Sequence, residues 1–309
     1  MAKQQGDELP GLSPEESFTL LGNETRIRTL RTLAEADGPL SFTQLRNRVG
    51  IRQGSQFTYH LDKLVGHFVK QTDDGYLLTR TGERVVEAVL SGILTEDPMV
   101  DRTRVELACE LCGGPTEVRY RGERFERFCI ECSGMWNSEG DGYLGSLALP
   151  PAGLADRTTT EAVRAGWTWR NLDFFAMASG LCPKCSSVLD RELDLCADHD
   201  IPDGGDVCGS CGGRYAAKVR FDCSTCLFDG RGTLPILFMD QTEFLSFLFA
   251  NDRNPIAADS ISDCQRVVSS YDEEVISTDP FQGRFTFEID GDTISLTVDQ
   301  TLDVIDVTW

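Results

Sequence analysis

The residues with the clearest chemistry are the cysteines, which occur mainly as CxxC pairs. The sequence contains 12 cysteines, and the stretch CGSCGGRYAAKVRFDCSTC, residues 208–226, carries two such pairs. Residues 109–132 carry two more pairs around a segment, PTEVRYRGERFERF, that can form a hairpin turning at Arg121-Gly122. Two CxxC units at the ends of a hairpin bring four soft ligands into a tetrahedron. The spacing therefore predicts metal-binding knuckles.

In chain order the candidate ligands form three sets of four. The sets are Cys109, Cys112, Cys129 and Cys132; Cys182, Cys185, Cys196 and His199; and Cys208, Cys211, Cys223 and Cys226. The pairing of the last eight ligands is open. In a crossed alternative, Cys182 and Cys185 join Cys208 and Cys211, while Cys223 and Cys226 join Cys196 and His199.

The expected metal is zinc in a structural role, because four protein ligands leave no open position for water or a substrate. The paired CxxC units predict two zinc sites, and the CxxC and CxxH units predict a third. For this third set, an acidic surface loop with a solvated His199 is the alternative. An iron tetrathiolate acting as a redox sensor is a further alternative, since CGSCGGRY also resembles an iron knuckle. Cys264 has no partner in the sequence, and we expect it to be a buried thiol in a helix.

The charge of the chain is strongly negative and unevenly distributed. The formal net charge is −21, from 29 Lys and Arg against 50 Asp and Glu. Residues 1–95 have a net charge of −1 (11 against 12), and the remainder has −20 (18 against 38). Such acidity is typical of proteins from a high-salt cytoplasm. Any nucleic-acid interface must therefore be a locally basic surface.

The location predicted from the sequence is cytoplasmic. The first residues are polar and acidic, so we expect no secretory leader. The longest apolar stretch is interrupted by Asp240 and Glu243, well short of the roughly 20 residues that a membrane-spanning helix needs. In a reducing compartment, CxxC pairs favour metal ligation over disulfides.

The pattern over residues 13–95 predicts helix, helix, helix, hairpin and helix, the order of a winged helix-turn-helix. Asn23-Glu24 indicates a helix start and Gly50 a helix end. A hairpin is expected around Asp73-Asp74-Gly75. Residues 41–70 have five Lys and Arg against Asp62 alone, a net charge of +4. This is the locally basic surface that the acidic chain otherwise lacks.

The motifs LGNETRIRTLRTL, LSFTQLRNRVG and SQFTYHLDKL, followed by FVKQTDDGYLLT, resemble those of the ArsR-like winged-helix transcription regulators. The similarity is greatest to their haloarchaeal members, which also continue into a cysteine-rich C-terminal region. It is specific over residues 14–95 and looser beyond. The resemblance implies a regulator that binds double-stranded DNA, and a homodimer.

A helical projection of the segment QFTYHLDKLVGHFV separates an apolar stripe from a polar face. Phe57, Leu61, Leu64 and Phe68 fall on the stripe and are expected to lie in the core. The opposite face has donor-rich side chains of the kind that contact base edges and phosphates. The candidate DNA contacts on this face, the preceding helix and the hairpin are Arg46, Arg48, Arg52, Gln53, Ser55, Gln56, Tyr59, Lys63 and Lys70. His60, at the edge of the face, is expected to be structural or to contact phosphate.

The fold class predicted is α+β, with an N-terminal winged helix-turn-helix and a C-terminal mixed α/β region containing zinc-ribbon-like knuckles. The expected boundaries are residues 1–95 for the DNA-binding domain, 96–104 for a charged linker and 105–309 for the zinc-containing domain. GDGYLG, residues 140–145, fits GxGxxG but is interpreted as a loop. An apolar stripe, Val85, Val86, Val89, Leu90 and Ile93, is either a dimer helix or part of the core.

We find no catalytic motif and expect no enzymatic activity. The function predicted is a DNA-binding transcription regulator whose zinc-stabilised C-terminal domain serves dimerisation, sensing or contact with a protein partner. The alternative from another class is a protein–protein interaction module of a transcription complex.

Overall fold

The structure, a computed structural model, describes residues 12–94, 97–137, 140–257 and 261–309. These residues form two compact units: unit 1 comprises the described residues up to 94, and unit 2 those from Asp97 onward. The fold is mixed α+β, and all four sheets found in these ranges are antiparallel. Among the described residues no helix has the length and apolar character needed to cross a membrane.

Unit 1 contains five helices and a hairpin among its described residues. Asn23 caps α2 by accepting from the amides of Thr25 and Arg26, and Gly50 ends α3 with a left-handed φ of 81°. Both helix boundaries are those predicted from the sequence. The elements are α1 (Pro14–Leu21), α2 (Glu24–Ala34), α3 (Phe42–Val49), α4 (Gly54–Asp62), β1 (Val69–Thr72), β2 (Gly75–Leu78) and α5 (Arg80–Leu90).

The core of unit 1 contains the predicted apolar stripe. The side chains of Phe57, Leu61, Leu64 and Phe68 are all buried, which confirms the stripe as the core face. The helix is nevertheless shorter than predicted, because α4 ends at Asp62. Gly66 takes a left-handed φ of 90°, and the chain turns there into β1, so Leu64 and Phe68 enter the core from a turn.

The hairpin β1–β2 forms where the sequence predicts it, with Thr72 opposite Gly75. A Cβ atom at Gly75 would lie 2.5 Å from the carbonyl oxygen of Leu40, at a φ of 134°. Leu40 and Tyr76 form a bridge that joins the hairpin to the segment before α3. Glycine is therefore required where the hairpin approaches this segment.

Unit 2 contains three sheets, which are β3–β4–β5–β6, β7–β8–β9 and β10–β11–β12–β13. Its strands and helices, in chain order, are β3 (Val100–Ala108), β4 (Pro115–Arg121), β5 (Arg124–Cys129), β6 (Tyr143–Ala148), α6 (Thr159–Ala178), β7 (Asp190–Leu195), β8 (Ala217–Asp222), β9 (Asp229–Thr233), α7 (Thr242–Ala250), α8 (Ile261–Ser269), β10 (Asp272–Thr278), β11 (Phe281–Ile289), β12 (Asp292–Asp299) and β13 (Val304–Thr308). Two 3₁₀-helices cover Pro151–Leu154 and Leu234–Asp240.

Two segments predicted to be irregular are strands. Residues 100–104 of the predicted linker belong to β3, where Arg102 forms a 2.6 Å ion pair with Glu117 on β4. Because cross-strand partners satisfy its charges, this charged run is a strand and not a linker. Part of the predicted loop GDGYLG belongs to β6, which pairs with β5. Gly145 has a positive φ and lies where the β5–β6 register shifts. The glycine-rich sequence therefore favours a loop, although it includes part of a strand that buries Leu144 and Leu147.

A buried ion pair connects the first sheet to α6. Arg127 on β5 donates to both carboxylate oxygens of Glu110, at 3.1 and 2.5 Å, and both side chains are about 4% exposed or less. The Arg127 guanidinium lies 4.8 Å from the ring centroid of Trp167 on α6. Glu110 lies between Cys109 and Cys112 in the sequence, so this pair fixes the first knuckle against the core of unit 2.

Candidate metal centres and a basic helix face

The first metal site contains the four cysteines that the sequence grouped together: Cys109, Cys112, Cys129 and Cys132. One knuckle joins β3 to β4, and the other follows β5, because the β4–β5 hairpin returns the chain to the same end of the sheet. The Sγ atoms of Cys109 and Cys132 are 3.8 Å apart, and those of Cys112 and Cys129 are 3.5 Å apart.

The other eight ligands form two sites whose membership differs from both arrangements considered from the sequence. The outer site contains Cys182, Cys185, Cys223 and Cys226, and the inner site contains Cys196, His199, Cys208 and Cys211. The chain-order pairing and the crossed alternative are therefore both wrong. The inner site is nested within the outer one along the chain.

The register of β7 and β8 explains this nesting. Asp190 pairs with Asp222 at one end of the ladder, and Leu195 pairs with Ala217 at the other. The residues before β7 and after β8 therefore lie together, and these carry the two halves of the outer site. The residues after β7 and before β8 carry the halves of the inner site. The chain-order pairing would need a separate hairpin between the two ligand pairs of each site. The single antiparallel ladder of β7 and β8 instead gathers the ligands of both sites, one site at each of its ends.

The geometry of each site fits a tetrahedral metal ion. A Zn–S distance of about 2.3 Å places the sulfurs of a tetrahedron about 3.8 Å apart. In the outer site the Sγ separations are 3.6 Å for Cys182–Cys226 and 3.6 Å for Cys185–Cys223. In each of the three sites the four ligand atoms lie within 4.8 Å of one another. Three metal ions therefore fit the chain.

In the inner and outer sites, backbone amides favour the thiolate form of one cysteine each, Cys208 and Cys223. The Cys211 amide, followed by those of Ser210 and Asp200, lowers the pKa of Cys208 to about 6. Hydrogen bonds from the amides of Thr225 and Cys226 lower the pKa of Cys223 to about 7. These thiols can lose their protons near neutral pH, which removes part of the cost of metal binding.

His199 is oriented as a metal ligand. Its Nδ1 atom lies 3.6 Å from the Sγ atom of Cys211, and its Nε2 atom lies 3.3 Å from the carbonyl oxygen of Arg214. With Nδ1 on a metal, the Nε2–H group donates to this carbonyl and fixes the tautomer. The surface-loop alternative does not account for this arrangement. Cys264 is 1% exposed on α8, which confirms the predicted buried helical thiol.

The candidate DNA contacts lie on α3, the α3–α4 connection, α4 and β1. All of them except Arg46 are exposed: Arg48, Arg52, Gln53, Ser55, Gln56, Tyr59, Lys63 and Lys70. Arg46 is half-buried and donates to the Asn47 side chain at 3.2 Å. Tyr59 is 61% exposed, and the Nζ atom of Lys63, the C-cap of α4, lies 6.0 Å from its ring centroid.

His60 differs from its neighbours on α4 because it is half-buried. Burial, followed by repulsion from Arg26, lowers the pKa of His60, and its ring packs edge-on against Tyr59. The half-buried His60 ring therefore contributes packing beside the exposed Tyr59.

Comparison with protein families gives two matches. The family model for a domain of unknown function, DUF7351, matches residues 106–304. The chain belongs to the DUF7351 family. A second domain of unknown function, DUF7347, matches residues 14–89. No curated protein matches the chain. All three clusters that could hold a metal ion lie in the DUF7351 region, and the candidate DNA contacts lie in the DUF7347 region.

Proposed function

We propose that the protein is a DNA-binding transcription regulator in which unit 1 is a winged helix-turn-helix and unit 2 is stabilised by structural zinc. The observation that carries the proposal is the exposed, donor-rich face of α4 and the segments beside it. Residues 41–70 have a net charge of +4 in a chain of net charge −21. A locally basic surface in an otherwise acidic chain is the charge distribution expected of a protein that contacts phosphates.

In this proposal α3 and α4 are the two helices of the helix-turn-helix, and α4 enters the major groove. The N-terminal part of a recognition helix contacts base edges. Ser55 and Gln56 occupy this part of α4, and Tyr59 follows one turn later; all three side chains are exposed, whereas Phe57 and Leu61 are buried. The hairpin β1–β2 is the wing, and exposed Lys70 on β1 contacts the DNA backbone. The similarity to ArsR-like regulators supports the same arrangement.

High salt changes which contacts contribute to affinity. At 1 M ionic strength the Debye length is about 3 Å, so the acidic unit 2 repels DNA only weakly at a distance. The counterion-release contribution also decreases steeply as salt increases. We therefore expect close contacts from α4 and dimerisation to supply most of the affinity. Leu90 and Ile93 are 57% and 47% exposed, whereas Val86 is buried in the core, so the exposed end of the predicted stripe is the dimer surface in this proposal.

The test is selection of binding sites from random duplex DNA by the full, zinc-loaded chain in molar KCl. We expect enrichment of one motif with two related half-sites, because a dimer places two recognition helices about one helical turn apart. Absence of an enriched motif would contradict sequence-specific recognition. That result would favour the interaction-module alternative, in which unit 1 contacts protein.

A further inference from the structure

Unit 2 contains a cleft with a volume of about 1410 Å³, lined by β6, α6, the sheet β7–β9 and α8. Small-molecule sites typically occupy roughly 300–1,000 Å³. The cleft is therefore large enough for a metabolite. It lies wholly within unit 2, so it is independent of the proposed DNA-binding surface of unit 1.

The lining of the cleft is basic in a region that is otherwise acidic. Residues 96–309 have 18 Lys and Arg against 38 Asp and Glu. The lining has four acidic residues, Asp173, Glu192, Asp194 and Asp229, against six basic ones, Arg124, Arg170, Lys184, Lys218, Arg220 and Arg231. The sign of the charge is thus reversed at the cleft, which favours an anionic ligand.

Four of these cations have no carboxylate partner within the part of the chain that the structure describes. Lys184 pairs with Asp173 at 3.7 Å, and Arg220 pairs with Asp222 at 3.4 Å. No ion pair among the described residues involves Arg124, Arg170, Lys218 or Arg231. The Nζ atom of Lys218 instead lies 5.3 Å from the ring centroid of Trp136, another lining residue.

Among the cations that line the cleft, Arg170 on α6 has the surroundings that most favour a bound anion. Its Nη2 atom donates to the neutral Oε1 atom of Gln265 at 2.5 Å, and its guanidinium lies 5.1 Å from the ring centroid of Phe174. Its Nε atom is buried and has no hydrogen-bond partner among the described residues. Burial, followed by repulsion from Arg127, lowers the pKa of Arg170 to about 9. A buried donor without an acceptor is costly, and an oxygen of a carboxylate or phosphate would satisfy it.

We propose that this cleft binds a small organic anion, with a carboxylate or phosphate held by Arg170 and an apolar or aromatic body against Phe174 and Met177. Arg170 supplies a planar fork that matches both oxyanions. Phe174 and Met177 lie one and two turns of α6 beyond Arg170 and also line the cleft. The same helix therefore provides the charge and the apolar surface.

The test is ligand-observed NMR titration of the full, metal-loaded chain with benzoate, phenyl phosphate and the neutral analogues benzamide and benzyl alcohol. We expect benzoate, phenyl phosphate or both to bind at least about tenfold more tightly than the neutral analogues. The reason is that a neutral analogue cannot accept charge-assisted hydrogen bonds from the Arg170 guanidinium as an oxyanion does. The stronger of the two anions identifies the oxyanion. Arg170→Gln should abolish the preference, while Arg164→Gln, at an exposed position of the same helix, should retain it.

Three results would overturn the proposal: no binding of either anion, equal binding of anions and neutral analogues, or a preference that survives Arg170→Gln. Circular dichroism establishes whether Arg170→Gln is folded. If Arg170→Gln is not folded, Arg170→Lys replaces it in the test, because lysine keeps the charge but not the planar fork. The proposal then requires that the wild-type chain prefers anions over neutral analogues and that Arg170→Lys reduces this preference.

Discussion

Serine at all four cysteines of the outer site is expected to remove one metal ion per chain, leaving two. A second variant has serine at Cys182 and Cys185 of the outer site and at Cys208 and Cys211 of the inner site. It should lose two ions and retain one. The reason is the β7–β8 register, which places the outer ligands at one end of the ladder and the inner ligands at the other. Elemental analysis of the purified variants gives these ratios directly.

The same variants should be strongly destabilised. A structural zinc contributes roughly 10 kcal/mol to local folding in small domains. The outer site closes the end of the ladder where β7 begins and β8 ends, so its loss should unfold the three-stranded sheet before the rest of unit 2.

Cys264→Ser, which changes a thiol outside the three sites, should retain all three ions. Loss of two ions by the outer-site variant would contradict the nested arrangement, because that variant breaks both sites in the chain-order pairing and in the crossed one. Absorption of visible light by the purified chain would indicate iron instead of zinc.

Replacing Arg52, Tyr59 and Lys63 together with alanine is expected to weaken binding to the selected DNA at least about a hundredfold. A good base contact contributes about 1–3 kcal/mol, and each 1.4 kcal/mol corresponds to a factor of ten. All three side chains are exposed, so their removal should leave the core of unit 1 intact. Fluorescence anisotropy in molar KCl measures the affinity, and thermal unfolding establishes that the variant is folded.

A charge-matched control separates local contacts from net charge. Arg31→Ala with Arg84→Ala also removes two positive charges from exposed positions of unit 1, but on α2 and α5. We expect its affinity to fall no more than about threefold, because non-contacting charges are screened at this ionic strength. Equal losses in the triple variant and the control would mean that α4 makes no specific contact.

Local signals in the sequence predicted several element boundaries of unit 1, although four helices precede the hairpin where three were expected. Asn23, Gly50 and the turn at Asp73-Asp74 correctly predicted two helix boundaries and a hairpin, because capping and turn preferences act within a few residues. The end of α4 was not predicted, since the apolar stripe continues to Phe68 after the helix has stopped. Burial constrains which side chains face the core but not whether the backbone remains helical.

The spacing of the cysteines predicted which residues are candidate metal ligands but not how they are paired. All eleven cysteines and His199 in the three clusters could be named as ligands from the sequence, but their pairing in the nested sites could not. That pairing depends on which strands form a ladder, and β7 to β8 is a long-range contact that spacing does not determine. Arg127 with Glu110 and the cleft around Arg170 were also missed. Arg127 meets Glu110 only when β5 lies beside the first knuckle, and the cleft forms only when α6 packs against the sheets, so neither leaves a local pattern in the sequence.

The proposed recognition surface is tested most directly by hydrogen exchange of the full, metal-loaded chain with and without the selected duplex. The account predicts slower exchange on DNA binding for amides of residues 42–72, strongest in α4 and β1, with unit 2 largely unchanged. Unchanged exchange over residues 42–72 in a chain saturated with DNA would contradict it, and protection confined to unit 2 would place the DNA contact in the metal-binding region.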